Sequence, residues 1–74
     1  MTDLCTKLLM EVHDEARKHK VKQVDAHRVF FDAYQEHKKK HGSFKGVPHY
    51  NARMNERYRF MHQKAIEYIN GGKQ

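Results

Sequence analysis

Leu4, Leu8, Val12 and Ala16 recur at every fourth residue, with Cys5 and Leu9 beside them. That spacing places all six on one face of a helix and suits no strand, whose faces alternate every two residues. The same recurrence returns twice more along the chain. Ala26, Val29, Phe30, Ala33, Tyr34 and His37 form a second stripe. Tyr50, Met54, Tyr58, Met61, Ala65, Tyr68 and Ile69 form a third. Three amphipathic helices separated by short connectors predict an all-α fold, a small antiparallel three-helix bundle.

Local signals place the helix ends. Thr2 or Asp3 can cap the first helix, expected over about residues 3–18. Asp25 reads as the cap of the second, over 26–41, with Val24 in front of it as a hydrophobic staple. Gly42 follows a last turn made of Lys38, Lys39, Lys40 and His41, where cations complement the helix dipole. Pro48 suits the first turn of a third helix over 48–70, and Asn70-Gly71-Gly72 stops it. The connector "GSFKGVP" is longer than the three or four residues joining the helices of a helix-turn-helix reader, which disfavours that motif. The 74 residues therefore read as one helical domain, 1–74, with a short flexible tail at 71–74.

A domain this small buries only ~60% of the surface its unfolded chain exposes. The core is thin and leaves little room for a deep catalytic pocket, so the chain reads as non-catalytic. The lone cysteine, Cys5, cannot close an intrachain disulfide, which favours a reducing, cytoplasmic setting. Leu8-Leu9-Met10 and Val29-Phe30-Phe31 are the longest apolar runs, far short of a membrane span. No membrane partner is expected, because the apolar faces are needed for the core.

Charge is the strongest functional signal. Residues 1–37 carry six Lys/Arg against seven Asp/Glu, whereas residues 38–74 carry nine against two. A clustered positive field attracts polyanions better than a dispersed one. Within it, a helical projection sets Arg53, Arg57, Phe60 and Lys64 on one flank of the third helix, with Arg59 and Ile66 on the other. Lysines and arginines neutralise phosphates, and an exposed ring can stack on an unpaired base. The expected partner is thus a nucleic acid, RNA or DNA, with RNA or a single strand slightly favoured over duplex DNA because rings need unstacked bases. The expected contacts are Lys38, Lys39, Lys40, Lys45, Arg53, Arg57, Arg59, Phe60 and Lys64. A second reading is a regulator or inhibitor docking its basic surface on an acidic protein, with Phe31, Phe60 and Ile66 as apolar anchors. Those residues would also serve a homodimer interface.

Two further clusters invite other chemistry. Asp25, Asp32 and Glu36 share one side of the second helix and suit a hard cation, or pairing with Arg53 or Arg57. His37 and His41, four apart, with His49 nearby, have a zinc-like spacing. No CxxC, HExxH or phosphate-cradling glycine motif accompanies either cluster, so no metal or cofactor is expected.

Overall fold

The structure is a computed structural model that describes residues 3–72. Among these residues the chain forms α1 (Leu4–Lys18), α2 (Gln23–His41) and α3 (Tyr50–Glu67), and α3 ends in a π turn over Tyr68–Gly72. All three helices pack on one another. Contacts between α1 and α2 join His13 to His27 across a short connector, so the two run antiparallel. Contacts between α2 and α3 join His37 to both Arg57 and Phe60, again antiparallel. Glu11 meets His62 across α1 and α3, so the outer pair is parallel. The molecule measures 40 × 31 × 15 Å, thin enough that no core residue lies far from solvent.

The predicted stripes become the core. Leu8, Val12 and Ala16 of α1, Ala26, Phe30 and Ala33 of α2, and Met61, Ala65 and Ile69 at the end of the chain form one buried cluster. Phe30 is its largest ring and is fully buried. Cys5 packs against the cluster, partly covered, and that burial, then the nearby Asp3 carboxylate, push its thiol above the ordinary value. A thiol held protonated is a small hydrophobe, not a nucleophile.

The helix ends follow local chemistry. Asp3 caps α1, its carboxylate accepting from the Thr6 N–H at 2.8 Å. Thr2, the other candidate cap, lies outside the described residues. α1 stops in a Schellman motif: the Val21 N–H donates to Ala16 O at 2.8 Å and the Lys20 N–H to Arg17 O at 3.2 Å. This motif puts Lys20 in the left-handed region, at φ 59°. Chain reversal is thereby completed within four residues, and Val21 returns to the core edge.

Two predicted starts are corrected. α2 begins at Gln23, not Ala26, and Asp25 lies in its first turn, not at its cap. Its carboxylate still faces the positive end of the helix dipole. Val24 is 63% exposed, so no staple forms. α3 begins at Tyr50, because His49 adopts a left-handed φ of 62° that no helix can continue through. Pro48 therefore sits in the turn before the helix. At the other end Gly71, with φ 120°, breaks the π turn. Of the predicted tail, residues 71 and 72 close that turn, and residues 73 and 74 lie outside the described residues.

Lys20 gives the fold its simplest test. A side chain in the left-handed region costs ~1–2 kcal/mol, while glycine's larger unfolded-state freedom returns ~0.4–1 kcal/mol of that. Lys20→Gly is therefore expected to stabilise the domain by about 0.5–1 kcal/mol, a rise of a few degrees in Tm by thermal circular dichroism. An unchanged or lowered Tm would refute the strain at this position.

Candidate functional site

The site begins with the connector between α2 and α3. Gly42, at φ 75°, leaves the helix, and its N–H closes on Lys38 O at 2.6 Å. A tight turn follows over Phe44–Val47, closed by the Val47 N–H donating to Phe44 O at 2.9 Å. Gly46 occupies its third position at φ 78°, the conformation a type II turn demands there and glycine supplies without strain. "FKGV" thus folds so that Lys45 is exposed at the turn while Phe44 is buried.

What Phe44 covers is Arg57. This guanidinium is 1% exposed, one of the largest fully buried side chains in the molecule. Its centre lies 4.3 Å from the Phe44 ring centroid and 5.3 Å from that of Tyr34. Its Nε–H donates to His37 Nδ1 at 3.0 Å, and Nη2 donates to Gly42 O at 2.6 Å. No carboxylate takes part. The charge is accommodated by two hydrogen bonds and two aromatic faces, the means by which a buried cation avoids the full cost of desolvation.

This corrects the expected role of Arg57. It is not a surface phosphate contact but the bolt between α3, the end of α2 and the connector. The signal was present in the sequence: Arg57, Met61, Ala65 and Ile69 recur every four residues. A cation at such a position is rarely fully buried, so the spacing alone does not assign Arg57 to the core. Phe44 carries no such signal: a loop ring has no periodicity to reveal it.

The remaining predicted residues separate. Lys38, Lys39, Lys40, Lys45, Arg53 and Arg59 are exposed. Lys38 and Lys45 border a cleft of about 410 Å³, with Tyr34, Ser43, Tyr50 and Arg57 also in its wall. No Asp or Glu lines it. Tyr50, placed on the core stripe by spacing, is instead 48% exposed at the start of α3. Lys64 lies elsewhere, in a groove between α2 and α3 that it shares with Asp32, Glu36 and Glu67. Its Nζ stands 5.7 Å from the Phe60 ring centroid. A third groove, between α1 and α3, holds Glu11, Asp14, Glu15, Lys18, His62 and Ile66. Cations without acids thus gather at one cleft, and carboxylates predominate in the other two.

The apolar candidates do not make one surface. Phe60 is half-buried against the core, its ring 5.2 Å from His37, which corrects its reading as an exposed stacking ring. Phe31 is 38% exposed, beside His27 at 4.8 Å and edge-on to Phe30 at 5.2 Å. Ile66 faces the α1–α3 groove. Each lies in a different part of the bundle.

Asp25, Asp32 and Glu36 make no ion pair with Arg53 or Arg57, since Arg57 is buried under Phe44 and bonded to neutral acceptors. His37 and His41 stack with centroids 4.4 Å apart, and His37 Nδ1 is occupied by Arg57. His49 is the left-handed residue ahead of α3, and its side chain makes no capping bond there. Among the described residues no group of three or more His, Cys, Asp or Glu could hold a metal ion. No family model, curated protein or solved structure matches this chain.

Because Nδ1 accepts from Arg57, neutral His37 carries its proton on Nε2. Burial first, then the facing His41 and the Arg57 charge, hold its pKa below the ordinary histidine value. The unfolded chain, with its histidine near ~6.5, takes the proton more readily. Stability from this contact is therefore complete above about pH 6.5 and is lost as pH falls through the folded value. His37→Asn keeps an acceptor but cannot titrate. The drop in denaturation free energy between pH 7.5 and pH 5 should be smaller in this variant than in the parent; parallel losses would disprove the coupling. Arg57→Ala, which leaves a void under Phe44 and unpairs two acceptors, should cost about 3–5 kcal/mol in urea unfolding.

Proposed function

We propose that this protein is a small non-catalytic module that binds nucleic acid, single-stranded in preference to duplex, through the surface formed by the end of α2, the connector and the first turns of α3. The observation that carries the reading is the sorting of charge. Lys38 and Lys45 share a cleft with Arg57 and no carboxylate, Lys39 and Lys40 extend the positive surface along α2, and Arg53 extends it on α3. Lysine and arginine stay protonated at neutral pH, which suits holding an anion and not transferring a proton. Arg59 adds to the field from the middle of α3. Lys64 drops out, since its groove carries three carboxylates.

Exposed rings favour a single strand. Tyr50 beside the cleft and Phe31 on α2 are available to stack on unpaired bases, whereas Phe60 is largely committed to the fold. A cytoplasmic location is part of the same proposal, on the strength of one thiol, Cys5, embedded as a reduced core residue. Among the described residues no helix is long and apolar enough to cross a membrane.

Affinity for single-stranded RNA or DNA should fall linearly with salt on logarithmic axes, with a slope near −0.7 per neutralised phosphate. The double variant Lys39→Ala/Lys40→Ala should lower that slope by about 1.4, with no loss of fold, because both side chains are exposed. Fluorescence anisotropy across a salt series measures it. No binding of any strand at low salt would end the proposal.

A further inference from the structure

Arg57 is more than a bolt. A guanidinium has five N–H groups, and this one donates from Nε and Nη2 only. Among the described residues no fully buried polar side-chain atom lacks a partner. Nη1 makes no hydrogen bond within the protein, and Arg57 lies in the wall of the cleft. A residue only 1% exposed thus lines a cavity with donor capacity to spare.

The rest of that cavity is built to the same end. Lys38 stands on α2 and Lys45 at the tight turn, so cations from two elements line the same cleft as Arg57. Three positive charges with no acid among the lining residues fit a doubly charged anion better than a singly charged one. The hydroxyls of Tyr34, Ser43 and Tyr50 add neutral donors. α3 begins at this edge with no acid in its first turn and no side-chain cap, so its free N–H groups and dipole reinforce the field. At about 410 Å³ the cleft is in the range of small-ligand sites and has room beyond a phosphate for the nucleoside attached to it. Tyr50, 48% exposed at the wall, offers a face for that base.

We infer that the cleft between Lys38, Lys45 and Arg57 binds the phosphate monoester of a terminal nucleotide, with the adjoining base against Tyr50. A monoester is close to a dianion at pH 7, whereas an internal phosphodiester carries one charge. The chemistry is that of a strand end or of a free mononucleotide, and it rests on the nucleic-acid reading only for the identity of what bears the phosphate.

The test uses the full chain and two kinds of probe. Single-stranded RNA decamers with a 5′-phosphate, a 3′-phosphate or hydroxyl ends are compared by anisotropy, and adenosine monophosphate, adenosine and inorganic phosphate by NMR. One phosphorylated decamer should bind about tenfold tighter than the hydroxyl form, the worth of one further charge-assisted hydrogen bond. Lys38→Ala/Lys45→Ala should abolish that preference, while Lys39→Ala/Lys40→Ala should weaken all decamers alike. Adenosine monophosphate should shift the Ser43–Gly46 amides and the Tyr50 ring, and adenosine should not.

Equal binding of all decamers, with no shift in the cleft, would overturn the inference and leave strand binding intact. Shifts from the mononucleotide with no binding of any decamer would support the cleft and remove the strand. Shifts from inorganic phosphate equal to those from the mononucleotide would refute the base contact at Tyr50. No response to any probe would end both readings.

Discussion

A buried guanidinium bonded to no carboxylate is the constraint on which the rest of this structure depends. Arg57 links three parts of the chain: α3 that carries it, the Gly42 carbonyl where α2 ends, and the Phe44 ring of the connector. Lysine would not substitute, since its compact ammonium lacks the planar face that lies between Phe44 and Tyr34 and the fork that reaches His37 and Gly42 together. A carboxylate partner would have neutralised the charge. Its place is taken by a carbonyl, an imidazole and two rings, so the region keeps a net positive charge.

That residual charge sets the direction of the functional reading. A thin bundle, 15 Å in its shortest dimension, has few interior places for polar chemistry and must express function at its grooves. Two of the grooves mix acids with cations, as at Asp32, Glu36, Glu67 and Lys64, where opposite charges offset each other. The third, around Lys38 and Lys45, has no such offset. Like charges held together at a surface repel, so an arrangement of this kind is most favourable with an anion among them. The net charge alone, +6, could not distinguish a solubilising coat from such a site.

The helices and their inner faces were legible in the sequence because burial repeats with the helical period, and the predicted core residues Leu8, Val12, Phe30, Met61 and Ala65 are all buried. Helix starts were less legible. Asp25 carries the chemistry of a cap, but the first turn rewards an acid almost equally, and α2 took the earlier start at Gln23. His49 is the αL residue ahead of α3, and nothing in its chemistry announces it as a glycine would. The cationic segment was legible in composition and its geometry was not. Whether Arg57 lies in or out depends on Phe44 closing over it from a loop, a contact with no sequence period.

Coupling between clamp and cleft follows from this arrangement. Arg57 holds Gly42 by Nη2 and His37 by Nε and also lines the cleft, so the residue that shapes the proposed site also holds the fold around it. An anion seated there would stabilise the folded state by mass action, as any ligand of the native form does. It would draw Lys38 and Lys45 inward against their mutual repulsion, tying the end of α2 to the turn. His37 closes the circuit from the other side. Its protonation would remove the acceptor of Nε and place a second cation against the first, loosening the clamp from within. The fold and the proposed binding site are therefore not separable parts of this molecule: each depends on where one guanidinium directs its five donors.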